Sequence, residues 1–269
     1  MHGGTERCPE VRLEGGTSNR GLVVRVGDTV RRPATRHSPL ARAVAVHLEA
    51  AGFRRAPRYL GADEQGRDVF TFVPGDVAVA PYPAWARRDD AIREVGALLR
   101  EFHEAMSGFD ARSRCSPELA DPQGGPVFCH NDVCPENVVF RDGRAVALLD
   151  FDVAAPGRPA WDVARTARMW VPMGVPGTSR SWPEPADVWP RVAVLTRAYG
   201  LDPAAGGEFA DVLLAATRQG QDWVRAKVAA GKPAFVEMWD RFGLGERYAA
   251  DLAWIAAHRP EIADAARPA

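Results

Sequence analysis

Between Val127 and Asp152 the chain reads VFCHNDVCPENVVFRDGRAVALLDFD, and this stretch constrains its fold more than any other. An apolar strand end leads into a polar loop, His130 to Asn137, followed by two short apolar runs, Val138 to Phe140 and Ala145 to Leu149. The turn residues Asp142 and Gly143 join those runs, so the spacing predicts a hairpin that folds Asp150 back beside Asn137. A chain folded this way brings Asp132, Asn137 and Asp150 to one place.

The loop fits the H-x-D-x-x-x-x-N catalytic loop of kinases. Phosphoryl transfer asks a protein for positioning and for neutralisation of charge rather than for covalent chemistry. In that chemistry Asp132 is expected to accept or orient the proton of an acceptor hydroxyl. Asn137 and Asp150 are expected to offer a neutral and a charged oxygen to Mg²⁺, which prefers such ligands. His130 is expected to hold the loop by hydrogen bonding. A His, an Asp and an Asn at these offsets also occur by chance on surface loops. The added Asp150-Phe151 and the strand context on both sides favour the kinase-like reading.

Upstream, Val11 to Pro33 alternates apolar and polar residues around glycine-rich breaks, which predicts two or three antiparallel strands with a turn at Gly27-Asp28. Pro39-Leu40 opens a helix with Leu40, Val44, His47, Leu48 and Ala51 on one face, ended by Gly52. Two more strands follow, Arg58 to Gly61 and Asp68 to Val73, turning at Gln65-Gly66. Pro74-Gly75 then punctuates the chain. Beyond it, Asp89 to Met106 is a periodic helix with Ile92, Val95, Leu99, Phe102 and Met106 inward. Helical patterns fill Asp187 to Tyr199, Glu208 to Val228 and Val236 to His258, the last with a break near Gly243 and Gly245, and the tail from Pro260 is expected to be mobile or loosely docked. The expectation is an α+β, bilobal, protein-kinase-like fold. Residues 1–75 would form a small β-rich N-lobe with one helix, and residues 76–269 a larger, mainly helical C-lobe.

A formal net charge of −1 gives no field to gather nucleic acid or anionic membrane, and neither is expected as a partner. The four cysteines have no C-x-x-C spacing, which argues against zinc. With no apolar leader and no run long enough to span a bilayer, a cytoplasmic protein is expected.

HNDVCPENVVF, then LLDFD, then GRPAWDVAR, resembles the aminoglycoside phosphotransferase family, which includes choline, homoserine and fructosamine kinase relatives. The resemblance runs from GGTSN through Tyr199 and weakens beyond it. It implies ATP or GTP as donor, a small-molecule hydroxyl as acceptor, Asp132 as the catalytic aspartate, and Asn137 and Asp150 as metal ligands. It further implies a structural role for Asp162 beneath the loop. Protein kinases match less well, because Cys134 stands where they carry Lys and only a short run separates Asp150 from Asp162.

Two features depart from the kinase pattern. The glycine-rich turn, Gly15 to Gly21, is not G-x-G-x-x-G, although Gly16 and Ser18 could contact phosphate. The strand expected to bear a phosphate-binding Lys reads Thr29-Val30-Arg31-Arg32-Pro33, so an Arg must substitute. Strand alternation lets only one of the pair face the cleft, and Arg31 is favoured, with both facing solvent as the alternative. Phe72 completes the expected nucleotide contacts. The matching helix has no evident Glu partner, so either the ion pair is absent or another acid replaces it. Asp222, Glu237, Asp240, Glu246 and Asp251 could receive a cationic acceptor, and Trp170, Trp223, Trp239 and Trp254 could form an aromatic wall. Ordinary helix faces and core packing are the simpler readings of both sets. The unusual cation position leaves a second function open: a catalytically weak kinase-fold binding or immunity-type protein.

Overall fold

The computed structural model describes residues 9–13, 21–110, 117–174, 182 and 187–267. The expected contacts Gly16 and Ser18 lie outside the described residues. Strands β1 (Val11–Arg12), β2 (Val24–Val26), β3 (Thr29–Arg32), β4 (Tyr59–Ala62) and β5 (Asp68–Thr71) form one antiparallel sheet in the order β1-β2-β3-β5-β4. Helix α1 (Ser38–Ala50) sits between β3 and β4 in the chain. Its residues Leu40, Val44 and Leu48 recur at one-turn spacing and are buried, whereas His47 is half-buried and Ala51 exposed.

Asp76 follows the sheet and is pinned to the hairpin that follows the polar loop. Its N–H donates to the Phe140 carbonyl at 2.8 Å, and its carbonyl accepts from the Phe140 N–H at 2.8 Å. Gly75 makes this crossing possible. It has φ 145°, and a Cβ there would lie 2.4 Å from the Phe140 carbonyl oxygen.

The rest of the chain is mainly helical. Helix α2 (Asp89–Ala105) buries Ile92, Val95, Leu99 and Phe102 completely. Strands β6 (Val127–Cys129), β7 (Val138–Arg141), β8 (Arg144–Leu148) and β9 (Ala155–Gly157) make two antiparallel pairs, β7-β8 and β6-β9. The first pair is the predicted hairpin. The second, which closes the segment running from the polar loop through the hairpin to Ala154, has no signal in Ala-Pro-Gly, whose small and ring residues carry little strand propensity. Helices α3 (Pro159–Trp170), α4 (Val188–Tyr199), α5 (Pro203–Ala229), α6 (Pro233–Phe242), α7 (Leu244–Ala257) and α8 (Arg259–Ala266) follow. Helix α5 starts earlier than its apolar period suggests because the Asp202 side chain caps it, accepting from the Ala204 N–H at 2.8 Å.

The tail is not loose. Helix α8 packs on α4 and α5 with Ile262 and Ala266, one turn apart, fully buried. The two regions together make an α+β fold, an antiparallel sheet region followed by a larger helical part. Among the described residues no helix is long and apolar enough to cross a membrane.

Candidate active site

The polar loop is held from below by one carboxylate. Asp162, near the start of α3 and fully buried, accepts from the His130 N–H at 2.6 Å and the Asn131 N–H at 2.9 Å. His103 of α2 lies 3.0 Å from the same carboxylate and 2.8 Å from the Tyr199 hydroxyl. Burial alone would raise the Asp162 pKa, but His103 and these amides bring it below the ordinary value. Cys129 completes a His-Cys-Asp cluster with ligand atoms within 4.8 Å of one another. Both ring nitrogens of His103 and both Asp162 oxygens already have partners, so this cluster is a brace beneath the loop rather than a metal site.

His130 packs against the rings of Phe102 and Phe151, which stack on each other. Burial lowers its pKa and keeps the ring neutral. Its Nδ1 accepts from the Asp132 N–H at 3.3 Å, which assigns the proton to Nε2 for donation to the Leu149 carbonyl at 3.0 Å. The histidine thereby ties the loop to the chain just before Asp150. Asn131 reaches the loop geometry with φ 67°, a left-handed conformation that asparagine tolerates.

Asp132 and Asn137 face each other. The Asn137 amide Nδ2 donates to the Asp132 carbonyl at 2.9 Å and to its carboxylate Oδ2 at 3.0 Å. Burial pushes the Asp132 pKa up, opposed by the nearby charge of Arg165. The Leu149 N–H donates to the Asn137 carbonyl at 2.8 Å, so the hairpin returns Asp150 to the loop. Asp150 has φ 62°, and its side chain is 42% exposed, open to a ligand from the cleft.

The cleft cation is Arg32, not the expected Arg31. Arg32 Nη2 lies 2.6 Å from Asp152 and Nη1 lies 3.4 Å from Asp150, while Nε lies 3.9 Å from Asp68. Arg31, one residue earlier, points to the opposite face, against Thr29 and 3.7 Å from Asp63. Alternation decides the outcome: Arg32 pairs across the sheet with Asp68, whose fully buried carboxylate marks the side facing α1. Asp68 is also the acid that the helix lacks. It accepts from the Ser38 hydroxyl at 2.6 Å and from Arg42 at 2.6 Å, anchoring the start of α1. Asp152, half-buried beside Asp150, has its pKa pushed up to about 6 by burial first and then by that second carboxylate. Phe72, directly after β5, lies under the Arg25 guanidinium, 3.8 Å from the ring centroid.

Beside Asp132 opens a cavity of about 330 Å³ whose wall includes Tyr82, Met169, Trp182, Trp223 and Tyr248. Of the tryptophans expected there, Trp223 is present. Trp170 is fully buried and donates to the Val133 carbonyl, Trp239 packs edge-on against Tyr248, and Trp254 stacks on Trp189. None of the five expected acids lines the cavity, and Asp222 and Asp251 are paired with arginines. Arg165 and Asp68 carried no recognisable motif, and only their place in the fold reveals them.

Residues 108–227 match the phosphotransferase enzyme family, APH. The matched segment contains Asp132, Asn137, Asp150, Asp162 and Arg165, while Arg32 and Asp68 lie outside it. The trifolitoxin immunity protein of Rhizobium leguminosarum bv. trifolii is 34% identical over 164 residues, 58% of this chain and 60% of that protein. The fold is shared with a choline/ethanolamine kinase family protein from Mesorhizobium loti, at 20% identity and TM-score 0.58, covering 98% of this chain and 94% of that one. It is shared too with the streptomycin-ATP complex of APH(2")-IIa, at 11% identity and TM-score 0.59, covering 93% and 94%. These likenesses make the fold protein-kinase-like.

Proposed function

We propose that the protein transfers the γ-phosphoryl group of ATP or GTP to a hydroxyl of a small molecule. The observation that carries this reading is the Asp132–Asn137 pair: one amide fixes the aspartate while the same loop holds the strand that delivers Asp150. In the reaction the acceptor O–H gives its proton to Asp132, the new O–P bond forms, and the bond from the γ-phosphorus to its bridging oxygen breaks to leave the nucleoside diphosphate. A carboxylate with a raised pKa is better matched to that proton than an ordinary one.

The donor set fits Mg²⁺. Asn137 spends its Nδ2 on Asp132, which leaves its amide oxygen as a ligand, and Asp150 adds an exposed carboxylate. When bound, the ion supplies neutralisation of the phosphate charge. Arg32 would exchange its contact with Asp150 for phosphate oxygens. Residues 1–75 would then carry the nucleotide, and residues 76–269 the base, the metal ligands and the acceptor cavity. The nucleotide complexes of other proteins with this fold favour such a donor. Purified protein, screened against aminoglycosides, amino alcohols and sugars, should show acceptor-dependent nucleotide turnover. Asp132→Ala should lower that turnover by about 10²–10⁴-fold; turnover indifferent to the substitution rules the reading out.

A specific feature favours a second reading. Arg32 already binds Asp150 and Asp152, and the chain is 34% identical over 164 residues to a protein named for immunity. A binding or immunity-type protein on this fold would keep the loop without turnover. Calorimetric titration of nucleotide with and without Mg²⁺ separates the two, since a kinase requires metal-dependent nucleotide affinity.

A further inference from the structure

Among the described residues, the wall of the cavity beside Asp132 carries more cationic side chains than anionic ones. Arg165, Arg168 and Arg247 line it, against the carboxylates of Asp132 and Glu136, and no other carboxylate lines it among the described residues. Arg165 belongs to the catalytic end, where its Nε donates to the Asn131 carbonyl at 2.8 Å. Arg168 stands nearly one turn further along α3 and meets Arg247 of α7 over a shared acid. Its Nη2 donates to Asp251 Oδ2, and Arg247 Nε lies 3.6 Å from that same oxygen.

Asp251 cannot serve both arginines fully. Its side chain is only 3% exposed, and its other oxygen is roofed by Gly174, where a Cβ would lie 2.7 Å away. One buried negative charge therefore faces two guanidiniums whose side chains are each 19% exposed. Burial and the neighbouring Arg168 hold the Arg247 pKa below its ordinary value, as expected of a cation pair short of one counter-charge. Around this pair the wall is aromatic and apolar, with Trp182, Trp223, Tyr82 and Met238.

We propose that this cavity takes an anionic hydroxyl compound with an apolar or aromatic body, its carboxylate or similar oxyanion seated on Arg168 and Arg247. Guanidinium groups grip such planar oxyanions with paired N–H donors, and the aromatic wall covers the body of the ligand. That the hydroxyl end of the ligand reaches Asp132 for phosphorylation rests on the function proposed above; the anion seat does not.

The test uses matched ligands: N-acetyl-seryl-phenylalanine as the free acid, its carboxamide, and kanamycin. Calorimetry on the full chain without nucleotide should show the acid binding about tenfold or more tighter than the amide, the strength of a charged hydrogen bond. Arg168→Gln and Arg247→Gln should abolish the difference, and Arg247→Lys should retain part of it. Equal binding of acid and amide by the native chain, a preference for kanamycin, or no binding of the acid at millimolar concentration overturns the proposal, whatever the variants do. Turnover is scored separately. Arginine-dependent acid binding without phosphate transfer keeps the anion seat and removes the phosphotransfer reading, whereas transfer to kanamycin does the reverse.

Discussion

The guanidinium of Arg32 crosses the cleft to the carboxylate of Asp152 at 2.6 Å, joining the sheet to the hairpin that carries Asp150. The side chain is 11% exposed, with Asp68, Asp150 and Asp152 around it. Its neighbour Arg31 has no such position.

Nucleotide affinity should therefore depend on Arg32 and not on Arg31. Arg32→Ala is expected to weaken nucleotide binding by about 10–100-fold, the loss of a charge-assisted contact. Arg31→Ala should change it by about twofold at most, as a surface substitution does. Titration calorimetry with Mg²⁺ present checks both; equal losses would mean that both arginines act on phosphate.

Loss of the brace under the loop should cost stability as well as activity. Asp162→Ala leaves two buried amides and His103 without their acceptor, and about 3–5 kcal/mol of unfolding free energy is expected to go with it. Urea unfolding monitored by tryptophan fluorescence measures this directly.

Acid should destabilise the protein through His130. Its folded pKa lies below the ordinary value of 6.5, so the unfolded chain takes the proton first as pH falls. The stability it contributes is complete above pH 6.5 and is lost as pH drops through the folded value. Thermal unfolding scans from pH 7 to about pH 5 should show a steeper fall in Tm for the native chain than for His130→Gln. Parallel slopes would place the acid sensitivity elsewhere.

Gly75→Ala should be damaging for its size. The new methyl would meet the Phe140 carbonyl at 2.4 Å and Val139 Cγ1 at 2.6 Å, at a φ that side chains avoid. A loss of about 1–3 kcal/mol is expected, more than an exposed Gly→Ala change would bring. Comparison with Gly231→Ala, also left-handed but in open space, isolates the clash from the backbone strain.

Local chemistry made the hairpin legible in the sequence. Asp142-Gly143 between apolar runs specifies a turn, and the turn specifies where Asp150 goes. The β-β-α-β-β order was legible for the same reason, through glycine punctuation and period. What escaped depends on parity or on distance along the chain. Choosing Arg31 over Arg32 needed the buried face of β3, which is set by Asp68 on a strand formed much later. The bracing pair β6-β9 is formed by residues with weak strand propensity, held by their neighbours. Helix α8 looked like a tail because its few apolar residues gain meaning only against α4 and α5. The charge of the cavity was hidden similarly: Asp251 reads as a free acid until Arg168 and Arg247 are seen to share it.

Asp68 carries one more consequence. In a kinase whose helix supplies the acid, a swing of that helix can disconnect the cleft cation and switch the enzyme off. Here the acid stands on β5, directly across from Arg32 on β3 in the same antiparallel pair. A displacement of α1 would strip Ser38 and Arg42 from Asp68 but leave the strand-to-strand pair in place. The partner that Arg32 has in the sheet is thus supplied by a neighbouring strand and not by the helix.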